Sequence, residues 1–337
     1  MSCRLRNESG QALVLTSLFL ILIMGATGLT VDVGAWYHER RQAQTTADAA
    51  ALSGAQQLNT GTAQAQTSAQ SYADQNGGGV NPNGITFQSD FAPNDTVSVA
   101  VTRTAPGFFS RIFGIDSVQV HATATARSAV PTDVLDAAPI VVKSDHPMLT
   151  GAGCGNPTSP PDPCFGSSNQ TVIPLGKNGE PGSFAVLDLM AYTQAANGGC
   201  PNSSNGNDGS STVASWITTG FNQFLNLGCY DSDPGAKFNS NNIEDALSGR
   251  LGSTLLFPVY DTEAGQGSNA TYHVIGWAAY YVTGWAANNG SDSLPGYTCG
   301  PGSGVCGYFT QVNWEGIQNS TAPTDPDFGV HTIALVN

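Results

Sequence analysis

Ala12–Val31 reads ALVLTSLFLILIMGATGLTV, twenty consecutive residues without a charge. Arg4 and Arg6 precede it, and Asp32 and the cluster His38-Glu39-Arg40-Arg41 follow. At ~1.5 Å per residue such a helix covers ~30 Å, the hydrocarbon thickness of a bilayer. The stretch therefore predicts a membrane-spanning helix over residues 12–35 behind a short tail, residues 1–11. A cleaved signal peptide is the competing reading. It requires an apolar core of about 7–15 residues and a small-residue cleavage site. The core here is longer. It runs on through Trp36 and Tyr37, placed as an interfacial aromatic belt, into an alanine-rich helical stretch toward Leu58. Retention is the reading adopted.

Flanking charge leaves orientation a tie, with Arg4 and Arg6 on one side and Arg40 and Arg41 on the other. The remaining 296 residues hold seven Lys/Arg and six of the seven cysteines. The expectation is a cytoplasmic N-terminus, carrying Cys3, with everything after residue 36 outside. That is a single-pass protein of the cytoplasmic membrane with an extracytoplasmic C-terminal domain.

The chain is acidic, with 25 Asp/Glu against 11 Lys/Arg, and only 11% of its residues are charged. Ordinary soluble domains carry about 25%. Asn, Ser, Thr, Gln and Gly supply the polarity instead, as on many secreted surfaces. Nucleic-acid binding is disfavoured, because no basic patch exists to displace counterions. Cys154, Cys164, Cys200, Cys229, Cys299 and Cys306 form an even set that implies disulfides outside the cytoplasm. Sequence leaves their fifteen possible pairings open. Neighbour pairing is the simplest, each bridge closing a loop rich in Gly, Pro or Asn. Free or metal-binding thiols are the alternative, against which stands the lack of any C-x₂-C spacing.

Residues 33–72 read as a helix continuing from the membrane and ending before Asn76-Gly77-Gly78-Gly79. Ala43, Ala47, Ala50, Gly54 and Leu58 recur at three- and four-residue steps and place small side chains on one face. That face packs on a partner helix or on the chain's own head, unless it reflects alanine propensity alone. Residues 85–91 and 96–102 read as strands joined by Pro93-Asn94-Asp95 turn chemistry. Pro106 opens a short helix over residues 107–113, ended by Gly114, and residues 117–127 alternate as a third strand. Pro131 to Pro139 reads as a junction. Beyond it come a loop-like stretch at 151–182, a strand-like 184–189, and a polar tract at 197–211. Helical patterns follow at 212–225 and 242–251. Apolar runs at 255–260, 272–282 and 308–314 are rich in strand-forming residues.

Glu8-Ser9-Gly10-Gln11-Ala12, the apolar run, Val31-Asp32-Val33-Gly34 and Thr46-Ala47-Asp48-Ala49-Ala50-Ala51-Leu52-Ser53-Gly54-Ala55 together resemble the N-terminal module of TadE/TadG-like proteins of the tight-adherence (Flp) pilus system. The resemblance covers about the first 58 residues. Val97–Arg127, with Pro106-Gly107-Phe108-Phe109, is similar to the continuation in such proteins. Residues 184–189, 257–261 and 272–277 resemble, less specifically, an extracytoplasmic module that often follows. The resemblance implies a bitopic envelope protein of pilus biogenesis, secretion or attachment. Two family features are unmatched. Pilin-like members are cut after a Gly and carry Glu at the fifth mature position, whereas Gly10 is followed by Gln11 and Leu15 stands fifth. The D-x-S-x-S metal loop of members with a von Willebrand type A domain is approached only by Asp208, Ser210 and Thr212, in a polar tract.

Catalytic signatures are sparse. H-E-x-x-H, G-x-S-x-G and P-loop motifs are absent from the sequence. Gly302, Gly304 and Gly307 form G-x-G-x-x-G without the strand and helix a nucleotide site needs, and read as a turn beside Cys299 and Cys306. Asp231-Ser232-Asp233 starts like a calcium loop, but Ala236 and Asn242 occupy positions that need Gly and Glu, so a solvated turn is expected. Asp145-His146 is half a triad at best and otherwise a polar loop pair. His273 reads as a structural histidine. Trp277, Tyr280, Tyr281 and Trp285 form either a ligand platform or, the reading preferred, core.

The expected fold is α+β. A long N-terminal transmembrane helix continues into a pilin-like helix-plus-small-sheet unit (36–130), followed by a mostly β, disulfide-stapled extracytoplasmic domain (131–337). The expected role is a non-catalytic component of Tad/Flp-type pilus assembly or secretion, without cofactor or metal. Its partners would be membrane lipid and other pilus or secretion components, met through the N-terminal helix. The alternative is an adhesin or ligand-binding module, with a surface ligand, on the same anchor.

Overall fold

α1 runs from Ser9 to Ala55, 47 residues, in a computed structural model that describes residues 9–156, 162–175, 186–194, 200–201, 208–233, 238, 240–266, 269–287, 290–300, 304–318 and 326–336. Cys3, Arg4, Arg6, Glu8, Phe184, Ala236 and Gly302 lie outside the described residues. The chain divides into two compact units, Met1–Arg127 with Ala334–Asn337, and Ser128–Ile333.

In the first unit, α1 is exposed along its apolar run, where only Gly28 is buried between Ala12 and Val31. Among the described residues it is the one helix long and apolar enough to cross a membrane. Its second half buries Ala43, Thr46, Ala47, Ala50 and Gly54 as a continuous stripe. The helix does not continue to residue 72. A 3₁₀ turn at Leu58–Thr60 leads into Gly61, whose φ of 122° suits a residue without a Cβ, and α2 (Thr62–Gln75) starts afresh. α2 packs back on α1, burying Ala65, Ala69 and Ala73. The Ser53 and Ser68 hydroxyls meet at 2.7 Å between the two helices. Two alanine faces approach closely, which one straight helix would forgo.

β1 (Val80–Gln88), β2 (Thr96–Pro106) and β3 (Ser117–Ala129) form an antiparallel sheet. β1 is irregular between Val80 and Ile85. β2 pairs with β3 from Thr96↔Arg127 to Pro106↔Ser117. The period of two turns Val97, Val99, Val101 and Ala105 inward, and β2 packs on α1.

In the second unit, β4 (Pro131–Val134) belongs to a small sheet, and β5 (Val142–Lys143) pairs in parallel with a long strand of the main sheet. That sheet holds β6 (Thr171–Pro174), β7 (Leu187–Thr193) and β9 (Gly228–Ser232), with β8 (Leu225–Asn226) pairing β4. Its backbone is the hairpin of β10 (Thr254–Ala264) and β11 (Thr271–Ala287), flanked by β12 (Gly290–Ser293) and β13 (Gly304–Thr310). α3 (Ser210–Thr219) ends at Gly220 rather than running to residue 225, and α4 (Asn241–Ser248) packs on α3 and on β11. Phe257, Tyr272, Trp277, Tyr280 and Phe309 fill the core. Trp285 is buried, and its Nε1 donates to the Ser248 Oγ at 2.9 Å. The fold is thus a long apolar helix followed by a mostly stranded region. Three disulfides staple that region: Cys154–Cys164, Cys200–Cys229 and Cys299–Cys306, with Cα separations of 5.9, 5.6 and 5.6 Å.

Candidate functional site

Asp32 is the first charge after the apolar run, and its side chain turns inward. It is fully buried. Its Oδ1 accepts the backbone N–H of Phe108 (2.9 Å) and Phe109 (3.2 Å), and its Oδ2 that of Ser110 (2.5 Å). One turn before it, an added Cβ on Gly28 would stand 2.8 Å from the Phe109 ring. One turn after it, the Trp36 Nε1 donates to the Pro106 carbonyl at 3.1 Å. Gly28, Asp32 and Trp36 lie at four-residue steps on one helix face and together clamp the segment between β2 and β3. Residues 107–113 were expected to form a helix. They form a loop closed by a 3₁₀ turn, Ser110–Phe113, with Gly114 left-handed after it. A carboxylate among three orphan amides is stable because those N–H groups have no helical acceptor.

The clamp was not visible as a site in the sequence. Its signals were present: a lone Asp ending an uncharged run, a Gly four residues before it and a Trp four residues after it. The clamped loop is apolar and outward-facing. Phe108 is 60% exposed, and Ile112 and Phe113 are each 80% exposed.

Farther along α1, Ala43, Ala47 and Ala50 are fully buried within the first unit, and Gly54 faces Ala69 and Val97. Leu58 is half-buried in the turn after α1. This stripe is covered by the chain's own head. Arg103 on β2, 10% exposed, ties the unit together. It reaches the Glu39 carboxylate at 3.4 Å, and it donates to the Thr46 hydroxyl and the Asn76 carbonyl at 2.8 Å each.

Other candidates from the sequence resolve into structural roles. Trp277, Tyr280 and Trp285 are core residues, and Tyr281 stacks on Tyr308 with centroids 5.0 Å apart. Asp231-Ser232-Asp233 is not a solvated turn. Asp231 and Ser232 lie in β9, and all three residues are buried, because strand pairing of β9 with β7 and β11 covers them. Gly304 and Gly307 lie in β13, paired to β11 and β6, rather than in a turn. Asp208 precedes α3, which takes Ser210 and Thr212 into its first turn. Among the described residues no three His, Cys, Asp or Glu side chains converge as a metal site.

His146 is half-buried, edge-on to Phe309, and accepts the Met148 N–H on Nδ1 at 3.2 Å. Burial lowers its pKa, and the Asp145 charge opposes the shift only in part. His273 pairs with Asp261 at 2.8 Å. A Ser-His-Asp chain does occur where the sequence showed none: Ser128 Oγ lies 3.1 Å from the His331 Nδ1, and the His331 Nε2 lies 2.9 Å from the Asp327 carboxylate. Its ring nitrogens are reversed relative to a hydrolase triad, in which Nε2 faces the serine, and the Ser128 side chain is buried.

No curated protein and no solved structure matches the chain. A family model does, over the segment that spans the apolar run, the Gly28–Asp32–Trp36 clamp and the small-residue stripe. Residues 10–57, the N-terminal segment alone, match the model of the Tad family, described as putative Flp pilus-assembly TadE/G-like.

Proposed function

We propose that this protein is a membrane-anchored, non-catalytic component of Flp-type pilus assembly or secretion, with its N-terminus in the cytoplasm and the chain after residue 36 outside. The observation that carries the reading is the course of α1. An exposed apolar stretch of bilayer length passes without a break into a Tad-family helix that its own sheet covers. The three disulfides support an oxidising compartment for the second unit. Since Ala43, Ala47, Ala50 and Gly54 are occupied by the head, the part of α1 left for partner helices is the apolar stretch itself, where Gly25 has open surroundings.

Proximity labelling from a tag after Asn337 in the native host tests this. Recovery of pilus ATPase, platform or pilin components supports the assembly role. Labelling confined to cell-wall or surface proteins would replace it with an adhesin function. Protease added to intact spheroplasts should degrade the second unit, and protection of that unit would reverse the orientation.

A further inference from the structure

We propose that the loop Pro106–Ile115 dips its apolar side chains into the bilayer beside α1, forming a second lipid contact that fixes the depth and tilt of the span. The proposal rests on the reading of Ala12–Val31 as a membrane span and adds to it a surface on the head.

Depth is set by register. Phe109 packs against Gly28, which lies three residues inside the end of the apolar run. At ~1.5 Å per residue this puts the Phe109 ring ~4–5 Å within that end. The clamp therefore holds the loop level with the last turn of the span, where Trp36 and Tyr37 mark the interface. Phe108, Phe109, Ile112, Phe113 and Ile115 are all exposed there, and Val31 and Val33 of α1 are exposed at the same level. Asp32 does not interrupt this surface, because its carboxylate is turned in onto backbone amides.

A loop can enter the edge of a bilayer only if its backbone groups are satisfied within the protein. Here the amides of Phe108, Phe109 and Ser110 go to Asp32. Gly107 donates to the Asp116 carbonyl, Ile112 to that of Phe109, Gly114 to that of Arg111, and Ile115 to that of Ser110. The Ser110 hydroxyl caps the Ile115 carbonyl at 3.0 Å. Arg111, exposed among the apolar side chains, can lay its stem along them and raise its guanidinium to the headgroups. A protein partner would also accept an apolar patch, but the shared level with the span favours lipid.

The test uses the full-length chain with Cys3→Ser, so that an introduced thiol is the one left unpaired. A polarity-sensitive fluorophore is attached at Ile112→Cys, at Leu20→Cys in the run, or at Ser71→Cys on the exposed side of α2. Each chain is reconstituted in phosphatidylcholine–phosphatidylglycerol vesicles carrying spin-labelled lipid. Ile112 is highly exposed, so its replacement removes no packing. The expected result is loss of emission at position 112 with the spin label near the acyl carbonyl, loss at position 20 with the label near the acyl methyl end, and no loss at position 71. Quenching at 20 with none at 112 would overturn the loop proposal and leave the span standing; the patch would then be a surface for protein. No quenching at 20 would overturn the span reading, and this proposal with it.

Discussion

The Asp32 carboxylate on α1 holds the backbone amide of Ser110, 78 residues away, at 2.5 Å. Two further amides share the same group. Asp32→Ala would leave three backbone donors, that of Ser110 buried, without their acceptor and so loosen the loop. Local opening of residues 106–115 should then be about 10–100-fold more frequent. Chymotryptic cleavage after Phe108, Phe109 or Phe113 in the detergent-solubilised full chain reads that frequency. An unchanged cleavage rate would mean the clamp contributes nothing.

Gly28 and Gly25 are both glycines of the apolar run, yet only Gly28 meets the head. A Cβ at Gly28 would clash with the Phe109 ring, whereas one at Gly25 meets nothing within 4 Å. Gly28→Leu should weaken the loop by about 1–3 kcal/mol through overpacking, and Gly25→Leu should leave it untouched. The same cleavage assay separates them. Equal behaviour of the two variants would place the loop elsewhere.

Ala47 and Gly54 make a parallel case. Were they a partner surface, bulky replacements would fold normally and fail only in assembly. Ala47 is fully buried by the chain itself, and a Cβ on Gly54 would stand 3.2 Å from the Ala69 Cβ and 3.4 Å from the Val97 Cγ1. Ala47→Leu and Gly54→Leu should each lower the stability of the purified chain by about 1–3 kcal/mol, with no partner present. Urea melts followed by circular dichroism measure it, and wild-type midpoints would return the stripe to an intermolecular role.

What could be read from residues alone was whatever depends on local pattern. The uncharged run, the alternation of Val97, Val99 and Val101, the Gly-rich stop after Gln75 and the cysteine parity all report on neighbours in sequence. What escaped depends on distant contacts. The α1–α2 turn at Gly61 lies inside alanine-rich sequence whose period of 3.6 continues on both sides, so periodicity could not reveal a reversal. Asp32 reads as the end of the span because its charge is visible in sequence, while the three amides that donate to it lie in another segment. Asp231-Ser232-Asp233 looked solvent-bound for the same reason: polar residues become interior when a sheet forms on both sides of their strand. Residues 107–113 read as a helix because Pro106 and Gly114 bracket them, and Asp32 satisfies the donors that a longer helix would have paired.

The disulfides should differ in weight by the loops they close. Cys200 and Cys229 are 29 residues apart, against 10 for Cys154–Cys164 and 7 for Cys299–Cys306. By chain entropy, removing the first by a double Cys→Ser change should cost about 3.6 kcal/mol, and removing either of the others about 2.4–2.7 kcal/mol. The Cys200–Cys229 bridge also ends on β9, which pairs with His273 of β11 opposite Cys229, so its loss should loosen that edge of the main sheet. Hydrogen exchange of β9 amides and urea midpoints of the three double variants give the order. A larger effect at Cys299–Cys306 would contradict it.

Asp327 supplies a pH dependence with a definite sign. Burial pushes its carboxyl up, but the His331 hydrogen bond, the charge of that imidazole and the Gly329 N–H at 2.7 Å outweigh burial and hold it below the ordinary 3.8. A carboxyl with a depressed folded pKa binds protons more readily in the unfolded chain. Its stabilisation is therefore complete above the unfolded pKa and is lost as pH falls through the folded one. The urea midpoint of the second unit should fall from about pH 5 downward. Asp327→Asn should flatten that part of the profile and lower the midpoint at neutral pH. The effect is modest, because the Asp327 side chain is half-exposed and water screens the pair. The same variant tests whether the Ser128–His331–Asp327 chain is structural. On the non-catalytic reading, a fluorophosphonate probe labels neither wild-type Ser128 nor the variant, and Ser128→Ala shifts the urea midpoint alone. Labelling of Ser128 that disappears with Asp327→Asn would make the chain a hydrolase.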